Sequence, residues 1–243
     1  MSIDFEYAAT LKTDFSVWGD FYHLDVGGEP LLCRRRVEIV TADGRVDQPP
    51  EAVAILMNPG KARLAEPDIP VSGMRGAVSD AVLHRLLPDN TQYQLMRLMR
   101  LMNWQHLRLI NLSDICDADS QSFARRLKTI LAQQPDCPHS VLHPDRMSEW
   151  QALIEQQPEQ QQPEQQPLEQ QPEQQPEQQP VMAAWGNNPV LATMANACLQ
   201  RLPDLIGVPT VAPWFRFASP YRKDQKLAWL EQMERQLRQG QPV

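Results

Sequence analysis

The residues best suited to chemistry in this 243-residue chain are carboxamides and small polar groups placed just after short apolar runs. Asn58 follows Ala52-Val53-Ala54-Ile55-Leu56-Met57 directly and opens the turn Asn58-Pro59-Gly60. Proline fixes one backbone dihedral and glycine frees the next, so the turn presents the Asn58 side chain at the mouth of the run. A carboxamide both donates and accepts, and can therefore orient a water or hold the edge of a base; the same tripeptide also serves as a plain chain reversal. Asn111 closes a second run, Leu107-Arg108-Leu109-Ile110, and is followed by Leu112-Ser113-Asp114. A third run, Val181 to Trp185, gives way to Gly186-Asn187-Asn188-Pro189. There Asn188 suits a helix N-cap with proline at the first helical position, and an anion site on that helix start is the alternative. The last polar stretch, Trp214 to Arg222, interleaves Trp214, Phe215, Phe217 and Tyr221 with Arg216, Arg222 and Lys223. Such a composition either stacks on bases and neutralises phosphate or packs to close a sheet edge.

These residues need rigid elements to aim them. The run Ala52 to Met57 is continuous, unalternated and bounded by Pro49-Pro50 and Pro59-Gly60, as expected of a strand buried on both faces. The runs at 107–112 and 181–185 read the same way, and Val208 to Ala212 is a weaker fourth. Helical patterns fall between them, over Thr91 to Met102, Ser120 to Gln133, Pro189 to Leu202 and Lys223 to Arg238. Alternating strands and helices predict a three-layer α/β/α domain with a short, mostly parallel central sheet. Ligands of such sheets bind outside the carboxyl ends of the strands, where the polar residues above stand. The segment Leu31 to Val40 reads as an added antiparallel edge, on which Arg34-Arg35-Arg36 forms a solvated face. The Met-rich stripe of Leu95, Met96, Leu98, Met99 and Met102 reads as flexible core packing.

Composition restricts the function classes further. The formal charge is −7, but six of the 30 acidic residues fall between Glu155 and Pro180, so the remainder carries 24 acidic against 23 basic residues. The folded part is thus close to neutral, and neither a basic nucleic-acid face nor an acidic body follows from the net charge. Residues 155–180 repeat Glu-Gln-Gln-Pro with one Leu and no other large apolar group. Regular proline blocks helical turns, and so little apolar surface does not offset the entropy of ordering. A disordered, partly polyproline-II insertion is expected there, with residues 1–154 and 181–243 together forming one α/β domain. No stretch approaches the roughly 20 apolar residues of a membrane span, and Met1 to Glu6 offers no export signal. A cytoplasmic protein without membrane contact is expected, and the scattered Cys33, Cys116, Cys137 and Cys198 read as reduced thiols. Cys137-Pro138-His139 with His143 has zinc-ligand residue types, with Asp136 or Asp145 as a fourth. The adjoining repeat argues against a rigid cage there, so no metal is expected. His84 and His106 stand without a nucleophile pattern, and no Walker A, G-x-S-x-G or G-x-G-x-x-G motif calls for a cofactor.

The order of these pieces resembles a bacterial and phage family known as domain of unknown function 1643. Those pieces are Leu56-Met57-Asn58-Pro59-Gly60, Ile110-Asn111-Leu112, Ala184-Trp185-Gly186 and Ala218-Ser219-Pro220-Tyr221. The resemblance spans roughly residues 30 to 225 apart from the repeat and implies a fold rather than a reaction. A more distant similarity is to the uracil-DNA glycosylase superfamily. What it implies is that Asn58 orients the attacking water, Pro59 and Gly60 shape the pocket floor, and Asn111 reads the base. It also puts Trp185 and Gly186 beside the substrate, and Ser219, Pro220 and Arg222 on backbone phosphate. The last motif reads Ala218-Ser219-Pro220 and brings no histidine to stabilise an anionic leaving base. The expectation is a pocket binding or processing a nucleobase, nucleotide or nucleic acid. Two alternatives stand beside it: a nucleoside hydrolase using the same pocket, and a non-catalytic interaction protein tethering a partner through the repeat.

Overall fold

The structure, a computed structural model, describes residues 3–60, 63–66, 78, 80–154 and 179–240. It begins with helix α1 (Ala8–Asp14) and strands β1 (Phe15–Val26), β2 (Glu29–Thr41), β3 (Ala52–Leu56), β4 (Arg63–Leu64) and β5 (Leu83–Leu87). Helix α2 (Asn90–Met102), strand β6 (His106–Asn111), and helices α3 (Ser120–Gln133) and α4 (Met147–Ile154) follow. Strand β7 (Val181–Ala183), helix α5 (Ala192–Arg201), strand β8 (Ile206–Gly207) and helix α6 (Lys223–Gln239) complete the order. All eight strands join one sheet in the order β4-β5-β1-β2-β6-β3-β7-β8.

The α/β class is as expected, but the sheet is neither short nor mostly parallel. Only β6, β3, β7 and β8 run parallel, whereas β1–β2, β1–β5, β2–β6 and β4–β5 pair antiparallel. The reason is the hairpin β1–β2, whose strands span 12 and 13 residues. It turns on Gly27 and Gly28, both at positive φ (64° and 89°), a conformation open to glycine and suited to tight antiparallel reversals.

Strand β2 is no edge. It lies between β1 and β6, with Val37 opposite Leu109 and Ile39 opposite Leu107. Arg34 and Arg35 are accordingly buried, and Arg36 nearly so. Arg35 Nε lies 2.8 Å from Asp20 on the neighbouring strand, with Glu149 of α4 at 3.6 Å from its Nη1, and Arg36 Nε lies 3.4 Å from Glu38 in the same strand. A second correction concerns the fourth strand, which is Ile206–Gly207 rather than 208–212, since Pro209 has no N–H for a ladder. The third ends at Ala183, and the helix expected from Pro189 starts as a 3-10 turn, Pro189–Leu191, before α5.

Apolar side chains alternate across the strands and build two cores. Val37, Ile39, Ala54, Leu56, Leu107 and Leu109 pack under α1, α2 and α6; Val53, Ile55, Ile110 and Leu112 pack under α3, α4 and α5. The Met-rich face of α2 belongs to the first core, with Met96 and Met99 fully buried. The repeat expected to be disordered lies outside the described residues except for Gln179 and Pro180. The Pro180 carbonyl accepts from Val53 N at 3.0 Å, and strands from both sides of the repeat enter the same sheet. Among the described residues no helix is long and apolar enough to cross a membrane.

Candidate functional site

Strands β3 and β6 are parallel neighbours, and the chain leaves their carboxyl ends for opposite faces of the sheet. After β3 it proceeds to α2 in the first core; after β6 it proceeds to α3 in the second. Two loops diverging in this way open a crevice between adjacent strand ends. A cavity of about 730 Å³ lies there, lined from the strand ends by Leu56, Met57, Asn58, Gly60 and Asn111.

The two loops are stitched together before they diverge. Leu112 N donates to Leu56 O at 2.9 Å, Ser113 N to Met57 O at 3.2 Å, and Asp117 N to Pro59 O at 3.1 Å. Asn58 completes the seam: its Nδ2 lies 3.0, 3.2 and 3.0 Å from the carbonyls of Pro59, Ile115 and Asp117. Three surrounding acceptors require the amide nitrogen on that side, which fixes the side-chain orientation. Its Oδ1 accepts no hydrogen bond from a described residue, so the group faces its surroundings as an acceptor alone. Asn111 contrasts with this. It is only 3 % exposed, lines the cavity, and its carboxamide makes no hydrogen bond to any described residue. Its amide is thus turned to the cavity rather than to a protein partner.

The remaining walls come from helix starts and from β2. Asp89 caps α2, accepting from Thr91 N and Gln92 N at 2.9 and 3.1 Å, while the Gln92 side chain accepts from Asp89 N at 3.0 Å. This capping box seats Asp89 to Tyr93 along one side of the cavity. Asp119 caps α3 through Ser122 N at 2.7 Å and brings Asp117 to Ser120 to the opposite strand end. Arg34 reaches the cavity because the β1–β2 register shifts between Asp20 and Phe21. The bulge makes Arg35 the extra residue, so Arg34 and Val37, three apart, both line the cavity. Burial lowers the Arg34 pKa, opposed by Cys116, Asp89 and Asp114. Phe217, Ser219, Pro220 and Tyr221 supply the rim, and Tyr221 is 98 % exposed.

Beneath the β6 loop sits a buried charge network. Asp114 Oδ2 accepts from Tyr22 Oη at 2.8 Å and lies 2.7 Å from Arg146 Nη1, with both charged groups fully enclosed. Arg146 also reaches Glu149 at 2.8 Å and the Pro138 carbonyl at 3.3 Å. Burial pushes Asp114 up to about 6, against the pull of the Arg146 cation. Beside it, Ser113 Oγ is 2.9 Å from His139 Nδ1, and burial followed by the Arg146 charge lowers His139 to about 4. Ser113 is fully enclosed, so this contact anchors the loop rather than presenting a nucleophile.

Of the residues singled out from the sequence, Asn58, Gly60, Asn111, Ser219 and Pro220 converge on the cavity. Pro59, Trp185, Gly186 and Arg222 are not among its lining residues. Pro59 is buried under the turn. Trp185 is a core residue, donating Nε1 to the Pro213 carbonyl at 3.0 Å and meeting Phe215 edge to face at 5.0 Å. Gly186 holds φ 77° beside it, and Arg222 is exposed and paired with Asp224 at 2.7 Å. The last-loop aromatics therefore divide, Phe215 into the core and Phe217 and Tyr221 to the cavity. Asn188 caps the 3-10 turn, accepting from Val190 N at 3.2 Å. No metal-binding cluster of His, Cys, Asp or Glu occurs among the described residues, since His139 meets Ser113 and His143 caps the turn at Pro144. The four cysteines are unbridged, and burial pushes Cys116 up to about 11.

Arg34, Asp89, Gln92, Tyr93, Asp117 and Lys226 escaped the sequence reading. The signal available was the capping pair Asp89 and Gln92, which sets the start of a helix whose first turn borders the cavity. No family model, curated protein or solved structure matches this chain.

Proposed function

We propose that the cavity binds a nucleobase-type heterocycle, presented as a free base, a nucleoside, a nucleotide or part of a nucleic acid. The observation that carries this reading is the Asn111 carboxamide, buried, without a protein partner and open to a cavity of suitable volume. A carboxamide matches the mixed donor and acceptor edge of a base, and ligand sites pair a few such groups with apolar and aromatic walls. Tyr93 and Phe217 contribute aromatic surface to those walls. The order of strand-end motifs that resembles the uracil-DNA glycosylase superfamily supports the same reading.

Asn58 is the group assigned to position a water. With Nδ2 committed to three carbonyls, Oδ1 accepts a hydrogen bond from that water and turns the water's lone pair toward the ligand. Gly60 shapes the floor, and Ser219 and Pro220 form the rim. Arg222, Trp185 and Gly186 have no part in the reading. No histidine lines the cavity among the described residues, so binding is the primary claim and hydrolysis of an N-glycosidic bond the secondary one.

The test is equilibrium binding of the full chain to free bases, nucleosides and uracil-containing oligonucleotides, with base release followed chromatographically in the same samples. Saturable binding at one site supports the reading, and base release lost in Asn58→Ala adds the hydrolytic step. Absence of saturable binding across the panel overturns it.

A further inference from the structure

We infer that the cavity selects an amino-bearing heterocycle over its keto counterpart, which rests on the preceding reading and names its ligand class. The preference comes from the hydrogen-bonding capacity left over around the Asn58-Pro59-Gly60 turn. Asn58 Oδ1 can only accept, because its nitrogen is held by three carbonyls. The Asp117 carbonyl is one of those three, and Asp117, half-buried, lines the same cavity. One Asp117 oxygen accepts from Asp119 N at 3.0 Å and the other has no partner among the described residues. Across the turn, Asp89 commits Oδ1 to the α2 amides, while Oδ2 lies only 3.2 Å from where a Gly60 Cβ would stand. A side chain at position 60 would crowd that oxygen, and glycine leaves it open.

One end of the cavity is therefore built from acceptors: a carboxamide oxygen and two carboxylate oxygens. A ligand carbonyl set against these oxygens meets lone pairs and loses the hydrogen bonds it made to water, whereas an exocyclic amine supplies two donors; the cationic donors of the same cavity are Arg34, whose charge faces Asp89, and Lys226. Asn111, which is buried and can turn its amide either way, meets the neighbouring ring edge without discriminating. The hydroxyls of Thr91, Ser120 and Ser219 adapt in the same manner. Discrimination thus falls on the Asn58 and Asp117 acceptors.

The experiment is calorimetric titration of the full chain with two matched pairs, cytidine against uridine and adenosine against inosine, which exchange an amine for a carbonyl and turn the adjacent ring nitrogen from acceptor to N–H donor, a change the adaptable Asn111 amide accommodates. The amino member of each pair binds tighter by about tenfold, the factor expected when a buried acceptor is satisfied in one complex and opposed in the other. Asp117→Asn brings the ratio toward one, because a carboxamide can turn an N–H to the carbonyl of the keto ligand. The variant retains an acceptor for Asp119 N, so its melting temperature stays near that of the parent. Equal or tighter binding of the keto members overturns the inference and leaves the base-binding reading standing. A preference that persists unchanged in Asp117→Asn also overturns it, and failure of all four nucleosides to bind overturns both.

Discussion

Replacing Arg146 by methionine removes the cation that closes the charge network under the β6 loop while keeping most of the side-chain length. Arg146 is fully enclosed and meets Asp114 at 2.7 Å and Glu149 at 2.8 Å. In the variant, Asp114 retains only the Tyr22 hydroxyl at 2.8 Å as side-chain donor. Removing one partner of a buried pair costs about 3–5 kcal/mol, chiefly because the other charge is left without compensation. Protonation of Asp114 relieves part of this. Burial already pushes that carboxyl up to about 6, and loss of the cation raises it further. A carboxyl whose folded pKa lies above its unfolded value favours folding most when protonated, so the deficit of the variant is largest at pH 8 and shrinks toward pH 5. Urea denaturation followed by circular dichroism measures it. With an m-value of about 2–3 kcal/mol/M, the midpoint falls by about 1–2.5 M at pH 8. Adding Asp114→Asn to Arg146→Met recovers part of the loss, since no bare charge remains at that position. A loss below about 1 kcal/mol, or one of the same size at pH 5 and pH 8, would refute the reasoning that this network anchors the loop that follows Asn111 and carries Asp117.

Two further outcomes follow from named groups. Burial lowers His139 to about 4 from 6.5, so the folded state holds it neutral, and its contribution is full above the unfolded pKa and lost as pH falls from 6.5 to 4. That window is worth about 3 kcal/mol, and His139→Asn, which keeps an acceptor for Ser113, loses correspondingly less stability in acid than the parent; parallel pH profiles count against this assignment. Asn188→Ala removes the cap on Val190 N and lowers stability by about 1 kcal/mol, yet leaves ligand affinity unchanged because Asn188 lies outside the cavity. A loss of affinity in that variant would instead support an anion site on the Asn188 turn.

What the sequence made legible was the parallel half of the sheet and the helices beside it. Ala52 to Leu56 is uniformly apolar, and in His106 to Asn111 the His106 and Arg108 side chains find the buried Glu38; shortness and flanking turn residues mark both as strands. The antiparallel half was obscure because β2 carries Arg34-Arg35-Arg36, a pattern normally solvated. Its burial depends on Asp20 of β1, on Glu38 in its own strand and on Glu149 from α4, pairings that only the folded sheet reveals. In the site, strand-end position alone identified Asn58 and Asn111. Trp185-Gly186 occupies the equivalent position on β7 but points into the core, where Phe215 and the Pro213 carbonyl hold it. Arg34 enters the cavity through a one-residue bulge, and no local pattern in the sequence marks that shift.

The most direct test of the account is ligand affinity in Asn111→Leu. The substitution keeps the heavy-atom count and the branching at Cγ and breaks no hydrogen bond within the described residues, so folding stability is retained or raised slightly as an unpartnered amide leaves the interior. Calorimetric titration with the tightest nucleoside is predicted to show an affinity loss of about tenfold or more at matched melting temperature. Undiminished affinity in this variant would contradict the claim that the crevice between β3 and β6 is where the base is held.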